Sequence, residues 1–179
     1  MVDDHLSHNK GLKIEYTKGM NKIIVLVLVF FVSTNVFAAG GDGGGSSKAS
    51  MYDEGLKLVK RAGKLEKKDK SDKAKKLYSQ AFKKFEKALS KDKKNPDIFN
   101  YLGYTSRKSG NFTEAEEYYL SGLNINPKHN GINEYLGELY VQTNRIDKAN
   151  ERLAVLKNCN CEEYQDLELI IKTKGTKIY

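Results

Sequence analysis

A period of 34 residues constrains this chain more than any other feature of its sequence. Laying residues 96–129 over 130–163 brings Ile98 onto Ile132, Tyr101 onto Tyr135, Leu102-Gly103 onto Leu136-Gly137, Phe112 onto Ile146 and Ala115 onto Ala149. One period earlier, Ala81 and Phe85 fall on Ala115 and Tyr119, and Ala88 falls on Gly122. Self-similarity at this spacing marks a stack of supersecondary units, none of which buries its apolar face alone.

The recurring small residues specify what the units are. A glycine inside a helix costs ~1 kcal/mol relative to alanine, so Gly103 and Gly137 need a compensating close approach between antiparallel helices. Ala115 and Ala149 are the expected opposing surfaces. Gly110 and Asn144 occupy equivalent helix exits, where the left-handed conformation is needed. Thr113 and Asp147 are then expected to cap each second helix, with Glu116 completing a capping box with Thr113. Pro96 and Pro127 punctuate the unit boundaries. Charged residues make up 30% of the chain, there are only 2 Pro and no Trp, and 11 Tyr with 7 Phe supply large apolar surface. That mixture suits packed amphipathic helices, so the expected class is all-α.

Residues Asn100 to Pro127, NYLGYTSRKSGNFTEAEEYYLSGLNINP, resemble a tetratricopeptide repeat, and NEYLGELYVQTNRIDKANERLAVL resembles a further one with Leu153 and Leu156 at the usual aromatic and alanine positions. In the preceding unit Ala74, Ala81 and Ala88 recur every seven residues, which predicts a second helix about two turns longer than normal. The tail CNCEEYQDLELIIK places Leu167, Ile170 and Ile171 on one helical face, as expected of a helix that caps the open end of a solenoid. The resemblance thus implies an α-α superhelix of about three helical hairpins plus a C-terminal capping helix. Its units are 51–95 (degenerate and long), 96–129 and 130–157, followed by a turn, cap and tail over 158–179. HNGINEYLGELY together with CEEYQDL is similar to a group of small secreted tetratricopeptide proteins of proteobacteria.

Ahead of the repeats, residues 1–19 form a polar extension, and Met20 opens a more usual signal peptide than Met1 does. Met20-Asn21-Lys22, the apolar run from Ile23 to Val32 and the Val36-Phe37-Ala38 exit match a secretory signal over residues 20–39, cleaved near Ala38 or Ala39. A retained inner-membrane anchor is the alternative, although the apolar run is short for a bilayer. Residues 40–50 are Gly/Ser-rich and read as a flexible tether. A periplasmic or secreted protein is expected.

No catalytic constellation emerges. His5 and His8 sit in the N-terminal extension, and His129 stands alone in an inter-repeat turn, where a solvated structural role is expected. Glu134 and Glu138 lack further metal-ligating neighbours. Cys159-Asn160-Cys161 offers two of the four ligands that zinc usually needs, and bridging i to i+2 closes a small ring, so free thiols and a bridge both remain open. No enzyme activity, metal or cofactor is expected.

Binding is expected on the inner surface, lined by first helices: Asp97, Asn100, Tyr104 and Arg107 in one unit, and Glu134, Glu138 and Val141 in the next. A protein or peptide partner held in that groove is the expected function, as an adaptor of the bacterial cell envelope. The net charge of +8 concentrates in residues 57–94, where 16 Lys and Arg face 5 Asp and Glu. An anionic membrane surface docked on this segment is the alternative. Nucleic acid is not expected, because export separates the two and only 4 of the 31 basic residues are Arg.

Overall fold

The computed structural model describes residues 50–176, and the N-terminal extension, the signal or anchor segment, residues 40–49 of the tether, and residues 177–179 lie outside that range. The described residues form seven helices and no strands: α1 (Met51–Glu66), α2 (Ser71–Leu89), α3 (Pro96–Ser109), α4 (Phe112–Ile125), α5 (Asn130–Gln142), α6 (Ile146–Leu156) and α7 (Glu162–Lys172). Helices pair as the hairpins α1/α2, α3/α4 and α5/α6; α2 stacks on α3, α4 on α5, and α7 on both α5 and α6.

Each hairpin turns in the same way. Asp69, Gly110 and Asn144 adopt φ values of 55°, 94° and 58°, and the next residue donates its N–H to the carbonyl five residues back. These bonds are Lys70 to Leu65 (3.0 Å), Asn111 to Ser106 (2.9 Å) and Arg145 to Tyr140 (2.7 Å). This closure satisfies helix-end carbonyls that have no partner within the helix. The end of α7 repeats it, with Lys174 at φ 49° and Gly175 N–H bound to the Ile170 carbonyl at 2.9 Å. The cap therefore ends in the same way as the first helix of each hairpin.

That closure also explains why Thr113 and Asp147 do not cap the second helices. The residue that closes the first helix, Asn111 or Arg145, is already the cap of the next, and neither makes a side-chain capping bond. Thr113 and Asp147 lie one residue inside the helices. Glu116 reaches across to Arg145 at 2.8 Å instead of back to Thr113. Side-chain caps occur where the chain has room to turn: Ser50 and Asp53 form a reciprocal capping box on α1, and Asn95 accepts from Asp97 N–H at 3.0 Å ahead of Pro96.

The glycines accommodate large side chains, not the opposing alanines. A methyl group built on Gly103 would lie 2.5 Å from the ring of Tyr119, and one on Gly137 would lie 2.5 Å from Leu167 of the cap. Gly55 stands in the same relation to Phe85, at 2.6 Å. Gly55 precedes its aromatic partner by 30 residues and Gly103 by 16, so each helix of the first hairpin extends about one and a half to two turns further towards the tip. Ala115 and Ala149 are fully buried beside these contacts.

A disulfide joins Cys159 and Cys161, whose Cα atoms are 5.2 Å apart, in the turn between α6 and α7.

Candidate functional site

The long first hairpin projects beyond its neighbours, and its tip walls a groove along the first helices. This groove, about 510 Å³, is lined by Glu66 and Lys67 at the end of α1, by Tyr104, Arg107 and Lys108 of α3, and by Tyr135, Glu138 and Gln142 of α5. The spacing of three and four residues within each helix brings these side chains to one face.

Aromatic rings form its floor. Tyr104 lies 5.8 Å from Tyr78 edge-on and 5.0 Å from Tyr135 in a tilted pair. Arg107 sits 5.6 Å and 5.7 Å from the centroids of Tyr104 and Tyr135, within cation-π range. Its guanidinium pairs with Glu138 at 2.6 Å, and both side chains are almost fully buried. Burial opposes the charge on Arg107, but the Glu138 carboxylate, the Tyr119 hydroxyl and Tyr104 together more than offset it and hold the guanidinium protonated beyond its ordinary range. Arg107 Nε and the Tyr119 hydroxyl are buried with no hydrogen-bond partner of acceptable geometry. At the rim, Lys108 pairs with Glu66 at 2.8 Å, and Glu66 also accepts from the Tyr78 hydroxyl at 2.9 Å. Burial raises the hydroxyl pKa values of Tyr104 and Tyr135, so both rings are neutral donors at ordinary pH. The arrangement offers flat aromatic surface, polar edges and nearly balanced charge.

Of the residues expected to line a groove, Tyr104, Arg107 and Glu138 meet here. The other four are placed elsewhere. Asn100 is buried beside Gly131 with its Oδ1 unpartnered. Glu134 is also buried, and Val141 belongs to the core together with Ala149 and Ile170. Asp97 is exposed and bound to His129 Nε2 at 3.0 Å. Tyr135 and Gln142 share the helical face of Glu138, a register that the sequence carries. Glu66 and Lys67 arrive only through the length of the first hairpin.

His129 is not a solvated turn residue. Its Nδ1 accepts from Ile132 N–H at 3.2 Å and caps α5, which leaves Nε2 to donate to Asp97. The side chain thereby ties the start of one repeat to the start of the next. The described residues contain no cluster of His, Cys, Asp and Glu able to hold a metal ion, and no helix among them is long and apolar enough to cross a membrane.

The basic segment forms a second surface. Lys57 and Arg61 of α1 face Lys83, Lys84 and Lys87 of α2 across a cleft of about 480 Å³ floored by Leu58. Lys84 pairs with Glu54 at 2.5 Å.

Residues 84–117 match the tetratricopeptide repeat family, a window that runs from the end of α2 through α3 into α4. Among solved structures the chain is similar to the type III secretion translocator chaperone SycD of Yersinia enterocolitica in an alternative dimer. The identity is 18% over 69% of this chain and 89% of that one, with a TM-score of 0.44. It is also similar to the same chaperone in complex with a peptide of the translocator YopD, at 18% identity over 69% and 90% of the two chains and a TM-score of 0.45. No curated protein matches the chain.

Proposed function

Taking residues 84–117 as a tetratricopeptide repeat within a stack of helical hairpins, we propose that this chain is a non-enzymatic protein-interaction module of the bacterial cell envelope. It holds an extended or helical peptide segment in the groove between the hairpin tip and the first helices. The observation that carries this reading is the groove itself, where Tyr104 and Tyr135 present aromatic faces between the Arg107–Glu138 and Lys108–Glu66 pairs. Aromatic anchors flanked by polar groups are the usual composition of peptide-binding hot spots, and stacked repeats supply concave surfaces for them.

Affinity capture from envelope extracts tests the reading, with the full chain as bait beside a Tyr104→Ala/Gln142→Arg variant checked for helical content by circular dichroism. Loss of the captured partner with helicity intact is expected. An unchanged set of captured proteins would sink the proposal. Export is tested by fractionating cells that express a C-terminally tagged full-length chain, with a shortened product expected in the periplasm. Unprocessed chain in the cytosol would rule export out.

A second reading is favoured by the gathering of Lys57, Arg61, Lys83 and Lys87 on the outer face of the first hairpin. In it, that face docks on anionic lipid by charge attraction. Flotation with phosphatidylglycerol vesicles that weakens at high salt, and that disappears when these four charges are reversed, supports it. Salt-independent flotation, or none, excludes it.

A further inference from the structure

We propose that the Cys159–Cys161 bridge is a site of thiol–disulfide exchange, and that its reaction partner is a low-molecular-weight thiol or a protein cysteine. The bridge closes a loop of only three residues. The stabilisation that a disulfide provides grows with the chain it constrains, so a loop this short gives it the least leverage as a staple. The helices on either side are already positioned by other means. Leu156 ends α6 in the core, while Leu167 and Ile170 bury α7 against α5, with exposures of 1%, 0% and 5%. The turn itself is closed by Cys159 N–H donating to the Leu156 carbonyl at 2.9 Å.

Two features make the bridge reactive instead. Both cysteines are only half-buried, so a thiolate can reach them. Cys161 is the N-cap of α7, which carries no side-chain capping bond, so the first N–H groups of an 11-residue helix are available to a departing thiolate. Glu162 and Glu163 in that first turn oppose this effect, while Lys157, just past the end of α6, carries the opposite charge. The chain has no other cysteine, so exchange is intermolecular.

The reaction balances with thiols as the reductant. A thiolate attacks Sγ of Cys159, forms a mixed disulfide and releases Cys161 as thiolate. A second thiol attacks the mixed disulfide, freeing Cys159. The bridge gains two electrons and two protons, and the two small thiols leave as one disulfide. In the opposite direction the same steps pass the disulfide to a pair of client thiols.

The test uses the full chain equilibrated in glutathione buffers of graded composition, with thiols trapped by maleimide and counted by mass spectrometry. The bridge is expected to pass from about 10% to about 90% reduced over about a hundredfold change in the ratio of squared glutathione to its disulfide. Helical content should stay constant throughout. The Cys161→Ser variant should accumulate a mixed disulfide between glutathione and Cys159. A bridge that stays oxidised across the whole series would overturn the proposal. So would loss of helicity on reduction, or failure of the Cys159→Ser/Cys161→Ser variant to fold, since either makes the bridge a staple.

Discussion

At the residue scale, the glycines divide by what surrounds them. Gly103 has the Tyr119 ring where a side chain would go, whereas nothing lies within 4 Å of a methyl group built on Gly63. Gly103→Ala is therefore expected to destabilise the fold by about 2 kcal/mol through overpacking, while Gly63→Ala should stabilise it by about 0.5 to 1 kcal/mol through helix propensity. Thermal or urea unfolding of the two variants checks both signs. The Arg107–Glu138 pair behaves differently again, because both partners are buried. Removing one leaves a charge in the interior, so Glu138→Ala should cost about 3 kcal/mol or more, while the paired change Arg107→Met/Glu138→Leu should fold with little loss. Urea midpoints of the single and double variants distinguish a stranded charge from a missing contact. Tyr104, Arg107 and Glu138 were legible as one site because position within a 34-residue repeat fixes the helical face. Asn100, Glu134 and Val141 share that repeat logic but do not line the groove, because packing that periodicity alone does not reveal decides which side chains reach it.

At the element scale, the capping helix shows how a solenoid ends. Leu167 fills the space over Gly137 and is fully buried, while Leu169 on the opposite side of the same helix is 37% exposed. Leu167→Ala should cost about 2 to 4 kcal/mol by opening a cavity. Leu169→Ala should change stability by less than about 0.5 kcal/mol. Protection of α5 amides from hydrogen exchange should fall only in the first variant. The helix exits at Gly110 and Asn144 were readable because both residue types tolerate positive φ. The exit at Asp69 was hidden, since it falls outside the regular period. Capping was misplaced at Thr113 and Asp147 for a related reason: the backbone closure of one helix consumes the residue that would have capped the next.

At the scale of the whole molecule, tyrosines couple the repeats and set an alkaline limit. Tyr119 is fully buried and Tyr140 nearly so. Burial pushes the Tyr140 hydroxyl from 10.0 to about 12, with Glu116 adding to the rise, and raises Tyr119 as well. A folded value above the unfolded one contributes stability that is whole below about pH 10 and is lost as pH climbs through the folded value. Helical content should accordingly hold to about pH 10 and fall above it, with phenolate absorbance rising together with unfolding instead of ahead of it. Phenolate appearing first, with helicity unchanged, would show these hydroxyls to be accessible.

The sequence by itself determined that the chain is helical, where the two regular hairpins begin and turn, and that a further helix closes the stack. Those properties follow from local periodicity, turn chemistry and the spacing of small residues, all of which are encoded within a few helical turns. Only the tertiary structure decided which side chain fills each glycine notch, which groove residues stay open, and how far the first hairpin overhangs them. Such contacts join residues such as Gly55 and Phe85 or Glu66 and Lys108, whose separation along the chain is fixed by helix lengths and packing and by no local signal.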